Sequence, residues 1–243
     1  MHHFLFLAGP PAGQRMWDLV LRRVRSEGAQ ATAVDLLDLN AESEDPTGWA
    51  AALADRIRAT EDCILVAHGT AVPLARHAAA LHPPAGLVLS NGPLGPLSRT
   101  ARALCRAARC PGGGLWARPE LAIPWLASSA GLRRTVVNPY VWDRDTVVTV
   151  CGPLFADRTD RRRTLRFMSA LPALAESPPD SGAPTALLWG DADPLFSSLN
   201  LDHFSDKAHV ILVEGGHHYH PLERPWAIAD GVLGWAQETL TTT

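Results

Sequence analysis

Lysine is almost absent from this 243-residue chain: of its 22 basic residues only Lys207 is not an arginine. With 25 acidic residues the formal net charge is −3, and the arginines lie mostly in helix-patterned segments such as Arg22–Arg25 and Arg161–Arg163. The basic face that a nucleic-acid reader carries is therefore missing. The arginine bias fits genomic base composition better than a function. No apolar run reaches membrane-spanning length, and Met1-His2-His3-Phe4 leads directly into a strand pattern with no signal peptide. Cysteine is scarce as well. Cys63, Cys105, Cys110 and Cys151 have no C-x-x-C spacing, so the common redox and zinc motifs are excluded and reduced thiols are expected. These absences predict a cytoplasmic protein with a small-molecule partner, no nucleic-acid or membrane partner and no cofactor. A homodimer remains open.

The chain does carry short apolar runs alternating with longer helix-period segments. Strands are expected near Phe4–Leu7, Ala31–Asp35, Cys63–Ala67, Gly86–Ser90, Thr185–Trp189 and His209–Val213. Helices are expected at about Met16–Glu27, Thr47–Thr60, Val72–Leu81 and Pro225–Thr239. The fold class is α/β, with a mostly parallel sheet of about six strands and helices on both faces. About ninety residues without a comparable strand separate Ser90 from Thr185, too many for a loop. Leu97–Arg109, Pro119–Ala130 and Asp160–Leu174 have helical patterns there. The expected division is a core of residues 1–96 and 184–243 with a helical cap inserted at 97–183.

A second lack is sharper. Strand Cys63–Ala67 runs through a tight turn into helix Val72–Leu81, the context of the nucleophile elbow Gly-x-Ser-x-Gly. The five positions read Ala67-His68-Gly69-Thr70-Ala71, so the central residue has no side chain. Glycine populates positive φ freely, and the change relieves the strain that such a turn stores.

Four segments in this order resemble the α/β-hydrolase superfamily, most closely its small hydroxynitrile lyase and methylesterase branch. Ala8-Gly9-Pro10-Pro11-Ala12-Gly13, followed by Trp17, is similar to the His-Gly oxyanion turn. The elbow comes next. Leu187-Leu188-Trp189-Gly190-Asp191-Ala192-Asp193-Pro194 resembles the turn carrying the family's acid, which falls on Asp193. Glu214-Gly215-Gly216-His217-His218-Tyr219-His220 resembles the histidine turn. The Gly-Gly-His context selects His217, whereas counting back five positions from Glu223 selects His218; His217 is preferred. His68 is taken as structural, facing away from the site as its counterpart in the family does.

The resemblance implies an Asp193–His217 dyad, in which the carboxylate fixes the tautomer and stabilises the protonated ring. Gly69 cannot attack, and Pro10 has no N–H to donate to an oxyanion. Only the Thr70 N–H is left for that task, so a seryl acyl-enzyme is excluded at the elbow. Candidate substrate contacts are Pro10, Trp17, Gly69, Thr70, Asn91 and Trp142, with Trp116, Trp125 and Tyr140 as further aromatic candidates. No metal site is expected, although His217-His218-x-His220 has a zinc-like spacing. The expected function is non-hydrolytic acid–base chemistry of lyase, isomerase or cyclase type on an apolar small molecule, by analogy a polyketide-like intermediate. The alternatives are an inactive ligand-binding pseudo-hydrolase and a hydrolase in which histidine activates water directly.

Overall fold

The sheet follows from parity. In a computed structural model, which describes all residues except 1, 40–42, 44, 111–112, 178, 199–200, 202–206 and 241–243, successive strand residues face opposite layers. In chain order the elements begin β1 (His3–Ala8), α1 (Asp18–Ser26), β2 (Gln30–Asp35) and α2 (Pro46–Arg58). They continue through β3 (Cys63–His68), α3 (Ala71–Leu81) and β4 (Gly86–Ser90). Next come five helices in a row: α4 (Arg99–Ala107), α5 (Gly113–Trp116), α6 (Pro119–Leu126), α7 (Arg144–Cys151) and α8 (Arg158–Glu176). β5 (Thr185–Gly190), β6 (His209–Val213), α9 (His220–Glu223) and α10 (Pro225–Leu240) complete the chain.

All six expected strands form one parallel sheet in the order β2-β1-β3-β4-β5-β6. Phe4, Phe6, Ile64, Val66, Val88, Ala186 and Leu188 point into one layer with α1 and α10. Leu5, Leu7, Leu65, Ala67, Leu87, Leu89, Leu187 and Trp189 point into the other with α2 and α3. Burying both faces requires the near-continuous apolar strands seen in the sequence. Asp45 caps α2 by accepting from the Gly48 N–H at 2.9 Å, and Pro46 occupies its first turn, where no backbone donor is lost.

The segment between β4 and β5 contains helices and no strand among its described residues. Its Ile123, Leu126, Val147, Val150, Cys151 and Leu154 share a buried cluster with Trp17 and the β1 phenylalanines. Backbone hydrogen bonds help to tie it to the sheet side. The Gly13 N–H donates to the Val150 carbonyl at 2.8 Å, and the Tyr219 N–H donates to the Thr135 carbonyl at 3.3 Å. Glu223 adds a clasp by accepting from the N–H groups of Val137 and Asn138 at 3.0 and 2.7 Å. Gly113 and Gly114 lie in the short helix α5.

No helix among the described residues is long and apolar enough to cross a membrane. The four cysteines are free, with Cys63, Cys105 and Cys151 buried and Cys110 exposed. Burial pushes the Cys63 thiol up to about 12 and raises the Cys105 thiol. One thiol per chain is therefore expected to react rapidly with dithiobis(nitrobenzoate) under native conditions, and all four in denaturant. A second fast thiol would show that the α4–α8 packing around Cys105 is wrong.

Candidate active site

The carboxyl ends of the strands gather the site, as the crossovers of a parallel sheet dictate. Ala8, His68 and Ser90 occupy one row of the sheet through the β1–β3 and β3–β4 registers. Beyond that row the chain leaves β1 at Gly9, β3 at Gly69 and β4 at Asn91. A β-carbon on Gly9 would lie 2.4 Å from the Ala71 nitrogen and 2.5 Å from Thr70 Oγ1. The first turn thus packs directly onto the elbow, and only glycine fits between them.

Gly69 has φ +61°, the left-handed conformation of an elbow's central residue. A β-carbon built there would lie 3.6 Å from His218 Nε2 and 3.7 Å from His218 Cε1. Apart from Gly69's own chain neighbours, no other described residue comes within 4 Å of that position. The space a nucleophile would occupy is therefore open, and an imidazole nitrogen borders it. Thr70 follows, at the start of α3, where backbone N–H groups have no intrahelical acceptor. Its hydroxyl donates to the Pro10 carbonyl at 2.6 Å.

The histidine hydrogen-bonded to Asp193 is His218, not the His217 preferred from sequence. His218 Nδ1 lies 3.0 Å from Asp193 Oδ2, and the two side chains are 8% and 0% exposed. His217 is half-buried with its Nδ1 unpaired. The turn explains the difference. Gly215 adopts φ +61°, the Gly216 N–H donates back to the Val213 carbonyl, and the His220 N–H donates to the His217 carbonyl. Adjacent residues on this irregular backbone point in different directions, and the second histidine reaches the acid.

The hydrogen-bond network fixes its own proton positions. The backbone N–H of Gly190 can only donate, and it meets one end of the Asn91 side chain at 2.8 Å. That end is the carbonyl oxygen, so the amide nitrogen faces Asp193 Oδ2 at 2.5 Å. Asp193 Oδ1 accepts from the Leu195 N–H at 2.7 Å. Burial alone would raise the Asp193 carboxyl, but the bonds from His218, Leu195 and Asn91 outweigh it and hold the group below the ordinary carboxylate range. An ionised Asp193 accepts from His218 Nδ1, which leaves the lone pair of a neutral ring on Nε2, the atom beside Gly69.

Several expected contacts are reassigned. Asn91 is fully buried, and both ends of its side chain are bonded to protein, so it supports the acid rather than a ligand. Trp142 is fully buried, donates to the Leu126 carbonyl at 2.9 Å and stacks on Tyr219 at 4.3 Å. Trp17 is buried against Phe6 and the His68 ring. Both tryptophans are packing residues. Trp116, Trp125 and Tyr140 are 70%, 48% and 82% exposed. His68 does not face away: its ring lies 4.8 Å from that of His218, and Phe196 lies 5.5 Å from the His218 ring. Strand parity could have found His68, since it shares a face with Ile64 and Val66. No group of three His, Cys, Asp or Glu suited to a metal occurs among the described residues.

The model of the alpha/beta hydrolase family matches residues 4–230. Among solved structures, haloalkane dehalogenase DbeA from Bradyrhizobium elkani USDA94 is 22% identical, covering 100% of this chain and 92% of its own, with a TM-score of 0.73. A thermophilic esterase from Thermogutta terrifontis is 18% identical, with coverage of 98% and 90% and a TM-score of 0.66. An alpha/beta hydrolase fold protein from Burkholderia ambifaria is also 18% identical, with coverage of 96% and 90% and a TM-score of 0.71. No match is found among curated protein sequences. At these identities the structural likenesses establish the fold. With the family model matched over nearly the whole chain, the protein belongs to the alpha/beta hydrolase family.

Proposed function

We propose that the chain is an acid–base enzyme of lyase, isomerase or cyclase type that transforms an apolar small molecule without a covalent enzyme intermediate. The observation that carries this reading is the placement of His218 Nε2 3.6 Å from the position of the absent side chain at Gly69, with Nδ1 held by Asp193. A substrate hydroxyl or activated C–H seated there gives its proton to Nε2, and the imidazolium is stabilised by the carboxylate. Electrons released by that step break a neighbouring bond or form a new one, and the imidazolium returns the proton. The Thr70 N–H lies at the start of α3, where a helix N-terminus favours developing negative charge. Pro10 supplies no second donor, which disfavours acyl transfer more than proton transfer.

Mandelonitrile is a suitable probe, because its cleavage needs only removal of the hydroxyl proton. The C–CN bond then breaks, cyanide leaves with the electron pair, and benzaldehyde absorbance reports the rate. Cleavage above the uncatalysed rate that disappears in His218→Ala supports the proposal; cleavage unchanged in that variant refutes it.

A second reading has one observation in its favour: the open volume at Gly69 can seat a water that His218 activates directly. The esterase and dehalogenase names of structural neighbours agree with it. Hydrolysis of p-nitrophenyl acetate by the unmodified chain, with no mandelonitrile cleavage, would select it.

A further inference from the structure

A second buried layer stands behind the dyad. His220 Nε2 lies 2.8 Å from Asn91 Oδ1 and 3.2 Å from Ser90 Oγ. Ser90 Oγ in turn lies 3.1 Å from His68 Nδ1. His68, Ser90, Asn91 and His220 are all buried. Because the Gly190 N–H fixes Asn91 Oδ1 as an acceptor, His220 Nε2 must carry a hydrogen and donate it. The imidazole is then neutral with a bare Nδ1, and that atom is buried with no partner. Desolvation first, and the neighbouring His218 second, keep His220 neutral by bringing it down to about 3.

Two local penalties converge on this chain of bonds. An unpaired buried acceptor is unfavourable, and an apolar residue at position 220 would avoid it. Asn91 holds φ +38°, a left-handed conformation that only glycine adopts freely and that asparagine tolerates. Packing alone explains neither. What the two residues share is the carboxylate: His220 holds the Asn91 carbonyl, so the amide nitrogen cannot rotate away from Asp193 Oδ2. Without that donor, the Gly190 N–H and the Asn91–Asp193 bond are left to oppose a flip that would turn the Asn91 carbonyl towards the carboxylate.

We infer that His220 is a positioning residue, which acts through Asn91 to fix the Asp193 carboxylate and thereby the tautomer and aim of His218. This inference rests on the acid–base reading of the same site. Ser90 completes the arrangement. With His220 as donor, the Ser90 hydroxyl is free to donate to His68 Nδ1, while His68 Nε2 stays buried without a partner.

The test compares His220→Phe, which keeps the ring shape and removes the donor, with His220→Gln, whose amide N–H reaches about as far as imidazole Nε2. Two readouts are used on the full chain: kcat and KM for mandelonitrile, and the Nδ1–H signal of His218 in an imidazole proton–nitrogen correlation spectrum. His220→Phe is expected to lower kcat by about tenfold or more, as one lost hydrogen bond in a buried network allows. KM should be unchanged and the His218 Nδ1–H signal lost. His220→Gln should recover kcat to within about threefold and restore the signal. Should the Phe variant not fold, His220→Asn replaces it, being polar but one bond too short to reach Asn91. A Phe or Asn variant that keeps both rate and signal overturns the inference. So does a folded Gln variant as impaired as Phe, because position 220 would then matter through ring packing alone. If His218→Ala leaves mandelonitrile cleavage unchanged, the acid–base reading fails by itself, and the Nδ1–H signal still decides whether His220 orients the pair.

Discussion

Alanine at position 218 is expected to reduce mandelonitrile cleavage by about 100- to 10,000-fold, the range that a positioned general base supplies. The loss should appear in kcat, because the ring acts on the bound substrate's proton. Removing the imidazole also strips Asp193, whose side chain has no exposed surface, of its hydrogen-bond partner. The Asn91 amide and the Leu195 N–H still hold the carboxylate, so a fall in stability of about 1.5–3 kcal/mol is expected rather than unfolding. Urea titration beside the kinetics separates the two effects. His217→Ala is the matched control: that ring has no bond to the acid, and its removal should change the rate by less than about threefold. Equal losses in the two variants would mean that the histidine turn, and not the His218 ring, is being measured.

Serine at position 69 is expected to produce the second large effect, a gain. Its β-carbon would lie 3.6 Å from His218 Nε2, which brings the hydroxyl oxygen within hydrogen-bonding reach of the base. A stoichiometric burst of p-nitrophenol from p-nitrophenyl acetate, absent in the unmodified chain and in the Gly69→Ser/His218→Ala double variant, is the expected outcome. Turnover after the burst should stay about 100- to 1,000-fold below that of a site with two oxyanion donors, because Pro10 still lacks an N–H. The same variant should be less stable by about 1–3 kcal/mol, since a side chain at φ +61° is strained. A folded Gly69→Ser protein with no burst would mean that the imidazole is not directed at the elbow.

Much of this was legible from residue order, and the exceptions share a cause. The six strands were readable because a sheet covered on both faces requires uninterrupted apolar runs, and those runs have few alternative structures. The elbow was readable because Gly69 sits between such a strand and a helix start. Asp193, the carboxylate that pairs with His218, lies in the turn after β5 that the residue order singled out. The choice between His217 and His218 was not readable from the preceding glycines, because the turn's irregular backbone decides which ring reaches the carboxylate. Distance from Glu223 was the better guide. Its carboxylate clasps the backbone of Val137 and Asn138 and so anchors α9 against the helical insertion. Asn91 and Trp142 were visible as polar and aromatic residues in suggestive places, yet their burial depends on long-range packing. His220 was hidden for the same reason, as its donor acts on a residue 129 positions away.

The central claim is that an aligned Asp193–His218 pair survives behind an absent nucleophile, with its free nitrogen facing the opening. Long-range proton–nitrogen correlation of the imidazole rings in the unmodified chain tests this most directly, with His217→Ala and His218→Ala spectra providing the assignment. The expected spectrum has His218 as a single neutral tautomer, its proton on Nδ1 and shifted downfield by the carboxylate, with the lone pair on Nε2. A spectrum with the proton on His218 Nε2, or one whose downfield signal vanishes in His217→Ala, would contradict the account.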